Sequence, residues 1–168
     1  MRNIRFNMLT ASFILTGLYG HCQNGVAMRF KEFYRGKGII FNSDYEPHIK
    51  IEEGAKQFTP SSDNIKMAEA FLVGNLFDVE YNDALNGVYE PSKLKERFSK
   101  YNRQYIGYIT KNLDSVVIVH LLNFGNKRKA AANFEDWEND YLVGFGKFYE
   151  KNVVTFLVNL TTRSVSFK

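Results

Sequence analysis

The chain has 168 residues, of which 45% are hydrophobic and 24% are charged, and its formal net charge is +4 at pH 7. A chain of this length is long enough to bury one core without disulfide bonds, and its one cysteine excludes a disulfide-rich scaffold. The small positive charge does not match a nucleic-acid-binding protein, in which a strong basic stripe is expected, so no nucleic-acid partner is predicted.

The first 22 residues have the pattern of a secretory signal peptide. Arg2 and Arg5 form a positive start without acids, and a largely apolar run extends from Met8 to Gly20. The run is too short for a bilayer span, which needs about 20 apolar residues, so no membrane span is predicted. The alternative is a buried N-terminal helix, but the polar residues do not recur at helical spacing. We therefore expect a secreted or periplasmic protein.

Cleavage after either Gly20 or Cys22 satisfies the demand for small residues at the exit of a signal peptide. Signal peptides of many Bacteroidetes-type bacteria resemble this one and end just before a glutamine, which favours a mature start at Gln23. A lipoprotein needs a small residue directly before its lipidated cysteine, and His21 stands there, so lipidation is the less favoured alternative. The mature protein would then contain no cysteine and, without the two arginines of the signal peptide, would carry a net charge of +2.

The next 35 residues, 23–57, follow neither the helical nor the strand period cleanly. Two short β-like runs, GIIFN and HIKI, flank the turn-rich segment NSDYEP. We expect an extended N-terminal arm over 23–57, with at most one edge hairpin, followed by a single α+β domain over 58–168.

Residues 58–77 predict one long helix. Pro60 and the polar residues after it supply entry signals, because proline fits the first turn and hydroxyl groups cap free N–H groups. The apolar face of this helix, at spacings of three and four, consists of Ile65, Ala68, Leu72 and Leu76. After a polar loop with a turn at Asn86-Gly87, a short second helix is predicted over 91–101. Its apolar side consists of Leu94, Phe98 and Tyr101.

From residue 103 onward the pattern changes to β. Four strand-like segments are 103–110, 115–124, 141–149 and 153–160, and a last short strand follows at 164–168. Segment 115–124 is almost entirely apolar and begins with β-branched residues, which is typical of a central strand buried on both faces. Segments 141–149 and 153–160 predict a hairpin that turns across Glu150, Lys151 and Asn152.

Short connections between consecutive strands imply antiparallel neighbours. The long helix is the one large amphipathic element available to cover the apolar face of such a sheet. The predicted fold class is therefore α+β, with one long helix and a short one packed on a four-stranded antiparallel sheet. This architecture is similar to that of cystatin-like folds, a similarity that implies no activity.

Three segments, FTPSSDNIKMAEAFL, YNRQYIGYI and VNLTTRSVSF, resemble a group of short exported bacterial proteins of the Bacteroidetes type whose activity is uncharacterised. The resemblance covers Phe58 to Phe167. It implies export and a C-terminal β-meander, and it implies no catalytic residue or cofactor.

The histidines of the mature chain do not form a recognisable catalytic or metal-binding pattern. His48 stands alone in the N-terminal arm, and His120 lies within the predicted central strand, where we expect a buried ring with one hydrogen-bonded nitrogen. A zinc site needs three or four ligands, and no His-x-Glu, His-x-x-x-His or Cys-x-x-Cys spacing occurs. No catalytic residue, metal or cofactor is predicted, and the sequence favours a protein without enzymatic activity.

Four acids gather around the single tryptophan, Trp137, and they are Glu135, Asp136, Glu138 and Asp140. Paired carboxylates can hydrolyse glycosidic bonds, and the indole could stack on a sugar. The alternative is structural: Asn133 would cap a helical turn whose first residues are acidic, and Trp137 would anchor the loop to the core.

A basic run, Lys127 to Lys129, precedes the acidic segment. It either binds an anionic partner such as lipopolysaccharide or an acidic glycan, or it forms a solvated loop. The later Gly-Phe-Gly-Lys sequence, placed in a predicted strand, lacks the spacing of a phosphate-binding loop.

The strongest candidate binding cluster lies on the first predicted strand of the meander. Its residues are Arg103, Gln104, Tyr105 and Tyr108, to which Trp137 is added. Arg103 and Tyr105 share a face with Gly107, and a glycine within a strand can mark the close approach of a ligand or of another backbone. The alternative is a strand edge with half-buried tyrosines.

These patterns favour a non-enzymatic binding module of the bacterial envelope or secreted fraction. The partner would be an unknown protein or envelope component that docks on the sheet face or on an edge strand. The alternative function is a small hydrolase that acts on envelope glycan or peptide through the carboxylates near Trp137.

Overall fold

The computed structural model describes residues 24–75, 94 and 96–167. The proposed signal peptide and the turn at Asn86-Gly87 lie outside these residues, as does Leu76 of the predicted helical face. The described residues form a mixed α+β fold with one seven-stranded, mostly antiparallel sheet and three α-helices. None of those helices is long and apolar enough to cross a membrane.

The elements have the following bounds in chain order. The strands are β1 Gly25–Met28, β2 Gly38–Phe41, β3 Lys56–Phe58, β4 Asn102–Ile109, β5 Ser115–Leu122, β6 Val153–Asn159 and β7 Ser164–Phe167. The α-helices are α1 Ser62–Asn75, α2 Lys127–Asn133 and α3 Lys147–Asn152, and a short 3-10 turn spans Phe98–Lys100.

The strand order is β1-β2-β4-β5-β6-β7, and β3 also pairs with β4. Strands β4 to β7 form an antiparallel meander, in which each strand pairs with the next one along the chain. It differs from the predicted meander, because segment 141–149 is not a strand and β5 pairs directly with β6. The other edge of β4 is shared, because β2 runs parallel to its first half and β3 runs antiparallel to its second half.

The predicted sheet has too few strands, because four were expected under one long helix and the structure has seven. Residues 25–57, interpreted above as part of an N-terminal arm, contribute β1, β2 and the first two residues of β3 to the sheet, and Phe58, which was assigned to the helical segment, completes β3. Strand β2 is completely buried, although its four residues GIIF show no alternation. Because an apolar run of four residues satisfies either period, the sequence did not show that this segment belongs to the core.

Helix α1 covers one face of the sheet. The predicted helical positions Ile65, Ala68 and Leu72 are completely buried, as expected for residues spaced by three and four. They pack with Val117, Val119 and Phe156 of the sheet, and we call this the helix-side core. Leu94, Phe98 and Tyr101, predicted to share one side of the short helix, are all buried in the same core.

The opposite face of the sheet is covered by the connection between β5 and β6. This loop-side core includes Ile106, Ile118, Ala130, Phe134 and Trp137. Strand β5 is therefore buried on both faces, as predicted, since seven of its eight residues are buried.

The predicted hairpin across residues 150–152 is wrong. Residues 141–146 are irregular, and α3 runs directly into β6. Tyr141 is buried, and Phe148 and Tyr149 pack against the loop-side core. This segment covers the second face of the sheet instead of extending it, because that face would otherwise expose apolar side chains to water.

Candidate functional site

The five residues predicted to bind a partner are all buried, and they lie on opposite faces of the sheet. Arg103 and Tyr105 point to the helix side, whereas Gln104, Tyr108 and Trp137 lie on the loop side. This division follows from the alternation of side chains along β4. The structure therefore does not bring the five residues together on one exposed surface.

Arg103 forms a buried ion pair with Glu69 of α1. The Arg103 Nε donates a hydrogen bond to Glu69 Oε1 at 3.1 Å, and both side chains are completely buried. The other guanidinium nitrogens donate to the backbone carbonyls of Tyr101 and Phe98. The guanidinium carbon also lies 3.9 Å from the ring centroid of Tyr34 and 4.6 Å from that of Phe98. Every face of this cation is thus in contact with protein.

Two tyrosines complete this cluster. The Tyr105 hydroxyl donates a 2.7 Å hydrogen bond to Glu69 Oε1. Burial raises the pKa of Tyr105 well above its usual value, and burial likewise raises the pKa of Tyr34 to about 12. Both phenols therefore stay protonated at neutral pH and cannot act as bases there. The cluster joins α1 to β4 and has no open face among its described contacts.

The sequence analysis missed Glu69 as a member of this cluster. A signal was present, because Glu69 lies four residues after Ile65 and three before Leu72, within the apolar stripe of α1. An acid at such a position requires a buried partner, and Arg103 is the cation that supplies it.

Gln104 forms hydrogen bonds with the backbone of the segment that covers the loop side of the sheet. Its side-chain amide nitrogen donates to the carbonyls of Trp137 and Asp140, and its Oε1 accepts a 3.0 Å hydrogen bond from the N–H of Leu142. One buried side chain thus satisfies three backbone groups of an irregular segment, which would be costly to bury unpaired. Its role in the structure is to fix the turn that contains Trp137.

His120 belongs to a second buried polar group, next to Tyr141 and Thr155. Its Nδ1 lies 2.7 Å from Thr155 Oγ1 and 3.1 Å from Tyr141 Oη. Nε2 is buried and has no hydrogen-bond partner among the described residues, although the backbone of Leu142 lies close enough to favour protonation slightly. The predicted buried ring with one hydrogen-bonded nitrogen is confirmed.

A hydroxyl beside a histidine is the geometry of an activated nucleophile, so we considered catalysis by Thr155 and His120. Burial lowers the pKa of His120 to about 3, far below the value near 7 that suits a general base at neutral pH. No carboxylate forms a hydrogen bond with either ring nitrogen within the described residues. The group is therefore a buried polar contact between β5, β6 and Tyr141.

The carboxylates near Trp137 do not form a catalytic pair. Glu135, Asp136 and Glu138 are exposed, while the indole of Trp137 is buried and unavailable to stack on a sugar. Glu138 instead pairs with Lys37, whose ammonium lies 5.9 Å from the Trp137 ring centroid. The geometry gives the hydrolase hypothesis no support.

One turn lies around Trp137 as expected, since the N–H of Asp140 donates to the carbonyl of Asp136 at 2.8 Å, but Asn133 does not cap it. Asn133 is the last residue of α2, where its side-chain amide donates to the carbonyl of Lys129. The N-cap is Asn126, whose Oδ1 accepts a hydrogen bond from the N–H of Lys129 at 3.1 Å. The exposed basic run from Lys127 to Lys129 is thus the first turn of a helix that was expected to be a loop.

Gly107 marks the close approach of another strand. A Cβ atom at this position would lie 2.7 Å from Phe58 Cζ and 2.8 Å from the Phe58 carbonyl oxygen. The approaching group is β3, which pairs with this part of β4. Of the two interpretations of a glycine within a strand, close approach of a backbone is correct here.

The two ends of the sheet are β1 and β7. In β7, Ser164 and Ser166 are exposed, whereas Val165 packs against the helix-side core. The preceding turn is held by Asn159, whose Oδ1 accepts hydrogen bonds from the N–H groups of Thr161 and Thr162. The hydrogen bonds of the preceding turn therefore fix the position of β7 at the edge of the sheet.

Within the described ranges, no three side chains of the histidine, cysteine or acidic types are grouped closely enough to hold a metal ion. Comparison with family models, with curated proteins and with solved structures finds no match to this chain. The similarity to cystatin-like folds stays a prediction. Function must therefore be argued from the surfaces that the fold leaves open.

Proposed function

We propose that this chain is an exported, non-enzymatic binding protein that docks an extended segment of a partner protein along β7. The partner would be a protein of the same envelope or secreted fraction, as the resemblance of the N-terminal segment and of residues 58–167 implies. The observation that carries the proposal is an uncharged edge strand at the end of a sheet whose two faces are both covered.

Coverage of both faces removes one of the two docking modes suggested by the sequence. A partner cannot lie on the sheet face, because α1 occupies one side and the β5–β6 connection occupies the other. Docking by strand addition needs an outer edge with unpaired backbone groups, and edge strands present such groups.

Strand β7 is short, with four residues, but it lacks three other features that protect an edge. Its sequence, SVSF, contains no charge and no proline, and it forms no bulge in its pairing with β6. The hydrogen bonds around Asn159 hold the turn before it, so little backbone freedom would be lost when a partner strand binds.

Site-specific photo-crosslinking tests this proposal. A benzophenone amino acid placed at position 166, on β7, should form an adduct with a second protein in the producing cells. The same probe at Asn112, an exposed residue in the β4–β5 turn, should not. Ser164→Lys should abolish the adduct because a lysine on an edge opposes strand addition, whereas Asn112→Lys adds the same charge away from the edge.

The outcomes separate clearly. An adduct at 166 that Ser164→Lys removes, with increased amide protection of β7 in the purified complex, supports strand addition. Equal adducts at 166 and 112, or an adduct whose mass is twice that of the chain, would contradict docking of a partner on β7.

Export is tested separately by the intact mass of the protein recovered outside the cytoplasm. We expect a chain that begins at Gln23. Recovery of the full-length chain in the cytoplasm would contradict export, and a diacylglycerol-modified Cys22 would establish the lipoprotein alternative in place of a free N-terminus.

A further inference from the structure

One end of the sheet collects cations from four separate segments of the chain. Strands β1 and β5 end there, and strands β2, β4 and β6 begin there, as their pairing shows. We call this the basic end. The segments that enter or leave it are 29–37, 96–101, 123–129 and 150–152.

The charges of the fold are unevenly divided between the two ends of the sheet. The basic end carries ten cations and three acids, whereas the segments at the opposite end, 42–56, 110–114 and 160–163, carry four cations and five acids. Nine of the ten cations are exposed, and Lys37 is half-buried. Within the described residues Lys37 is also the only one of the ten in an ion pair, which it forms with Glu138. This asymmetry is larger than the formal net charge of +4 suggests.

Hydrogen bonds between the four segments hold their backbones together. The N–H of Arg35 donates to the carbonyl of Ser99 at 2.7 Å, and the N–H of Asn123 donates to the carbonyl of Asn152 at 2.8 Å. The basic end is therefore a fixed surface of the fold, although segments distant in sequence form it.

The cations spread in two directions over this surface. From β2 the sheet passes through β4 and β5 to β6, so the cations extend about 14 Å across the strands. Segments 29–37 and 96–101 pack into the helix-side core through Tyr34 and Phe98, whereas segment 123–129 packs into the loop-side core through Phe124. Because packed layers lie about 10 Å apart, the basic end is also about 20 Å deep.

A broad cationic surface without exposed apolar side chains matches the head groups of an anionic bilayer. Head-group phosphates form a plane that reaches cations in both directions, whereas a linear polyanion covers only a strip. Among the described residues, none of the large exposed hydrophobic side chains lies in the four segments, so the basic end offers no aromatic platform for bases and no side chain for insertion into lipid. A second copy of this chain would bring like charges together there.

We propose that the basic end binds the phosphate head groups of an anionic membrane surface, reversibly and without insertion. Each lysine or arginine close to such a surface contributes to binding, and salt weakens the contribution because it shortens the Debye length. The proposal extends the anionic-partner alternative for Lys127 to Lys129 to the whole end of the fold. It does not depend on export or on strand addition to β7.

Sedimentation with lipid vesicles tests this inference. The purified protein is mixed with vesicles of phosphatidylcholine alone and with vesicles that also contain phosphatidylglycerol, at about 0.1 M salt, where the Debye length is about 10 Å. Vesicles of phosphatidylcholine alone measure any binding that does not require anionic head groups.

Two variants, each with three exposed cations replaced by glutamate, have the same net charge and differ in which end of the sheet loses cations. The test variant combines Lys100→Glu, Lys127→Glu and Lys151→Glu, and the control variant combines Lys56→Glu, Lys111→Glu and Arg163→Glu. The two sets are separated by the length of β4, whose eight residues span about 27 Å, so the control charges lie beyond the Debye length from a membrane at the basic end.

We expect the wild type to bind vesicles that contain phosphatidylglycerol, and to be released at about 1 M salt, where the Debye length is about 3 Å. The test variant should lower the partition onto these vesicles at least tenfold, and the control variant should lower it less than threefold. Both variants should keep the thermal stability of the wild type, because the replaced side chains are exposed. Glutamine at the three test positions should give an intermediate loss, and this variant decides the comparison if charge reversal lowers thermal stability.

Four results would overturn the inference. They are equal sedimentation with both kinds of vesicle, an equal loss of binding in the test and control variants, binding that persists at high salt, and tighter binding to double-stranded DNA, polygalacturonate or polyglutamate than to the anionic vesicles at the same concentration of negative charge.

Discussion

Replacing both members of the buried pair between Glu69 and Arg103 should destabilise the protein by less than the sum of the two single replacements. Glu69→Leu leaves a guanidinium in the core without its carboxylate, and it removes the acceptor of the Tyr105 hydroxyl. Arg103→Met leaves the carboxylate without its cation. The double variant places two apolar side chains of similar length between α1 and β4.

The magnitude follows from the complete burial of both groups. Removing one partner of a buried ion pair costs about 3–5 kcal/mol, because the remaining charge is left uncompensated. Apolar replacement of both partners is often nearly neutral, but here it leaves the carbonyls of Phe98 and Tyr101 and the hydroxyl of Tyr105 without their partners, at a cost of about 1–3 kcal/mol for each group. The double variant avoids a buried uncompensated charge, so it should lose less stability than the sum of the two single variants.

Urea unfolding of the four proteins measures this coupling. The protein has one tryptophan, Trp137, and it is buried, so its emission reports the loss of the core. Tyr105→Phe is the control within the cluster, since it removes one hydrogen bond to a charged group and should cost about 1.5–3 kcal/mol. Additive effects of Glu69→Leu and Arg103→Met would refute the reasoning, because independent sites show no coupling.

Two further predictions concern His120 and the glycines. Because the pKa of His120 is about 3 in the folded protein and 6.5 in the unfolded chain, the unfolded state binds more protons between these values, and stability falls as pH is lowered. We expect the free energy of unfolding to fall by about 2 kcal/mol from pH 8 to pH 5 through His120, and we expect His120→Gln to lack this contribution in urea titrations. The same dependence of unfolding free energy on pH in both proteins would contradict this expectation. Gly107→Ala should destabilise the protein by about 1–3 kcal/mol through its contact with Phe58, whereas Gly74→Ala, in an open position on α1, should stabilise it by up to about 1 kcal/mol. Calorimetry checks both variants: a higher melting temperature for Gly107→Ala would contradict the first expectation, and a lower one for Gly74→Ala would contradict the second.

Much of the helix-side core could be predicted from local patterns. The apolar face of α1, the pairing of β4 with β5 and the pairing of β6 with β7 depend on periodicity and on short connections, which are properties of neighbouring residues. The pairing of β5 with β6 was not predicted, because residues 123–152 separate these strands along the chain. The burial of Leu94, Phe98 and Tyr101 on one side of the chain was predicted on the same basis.

The candidate site was less predictable, because exposure is not a local property. The cluster at Arg103 and Tyr105 has the composition of a binding surface, but α1 and the segment around Tyr34 cover it completely. Whether a polar side chain on a strand faces solvent depends on what packs over that strand, and the covering residues are more than 30 positions away. The reverse holds for Phe145, whose apolar neighbours suggested a strand although it lies on an irregular segment and is almost fully exposed.

The sequence by itself determined the α+β class, the face of α1 and the central position of β5, because each depends on the spacing of side chains along one short segment. The tertiary structure alone decided that residues 25–58 extend the sheet to seven strands and that residues 124–149 form its second cover. Those decisions depend on pairing between distant segments. Burying the second face of the sheet stabilises the protein more than pairing residues 141–149 as a strand would. These residues therefore cover that face, and Phe145 stays exposed to solvent.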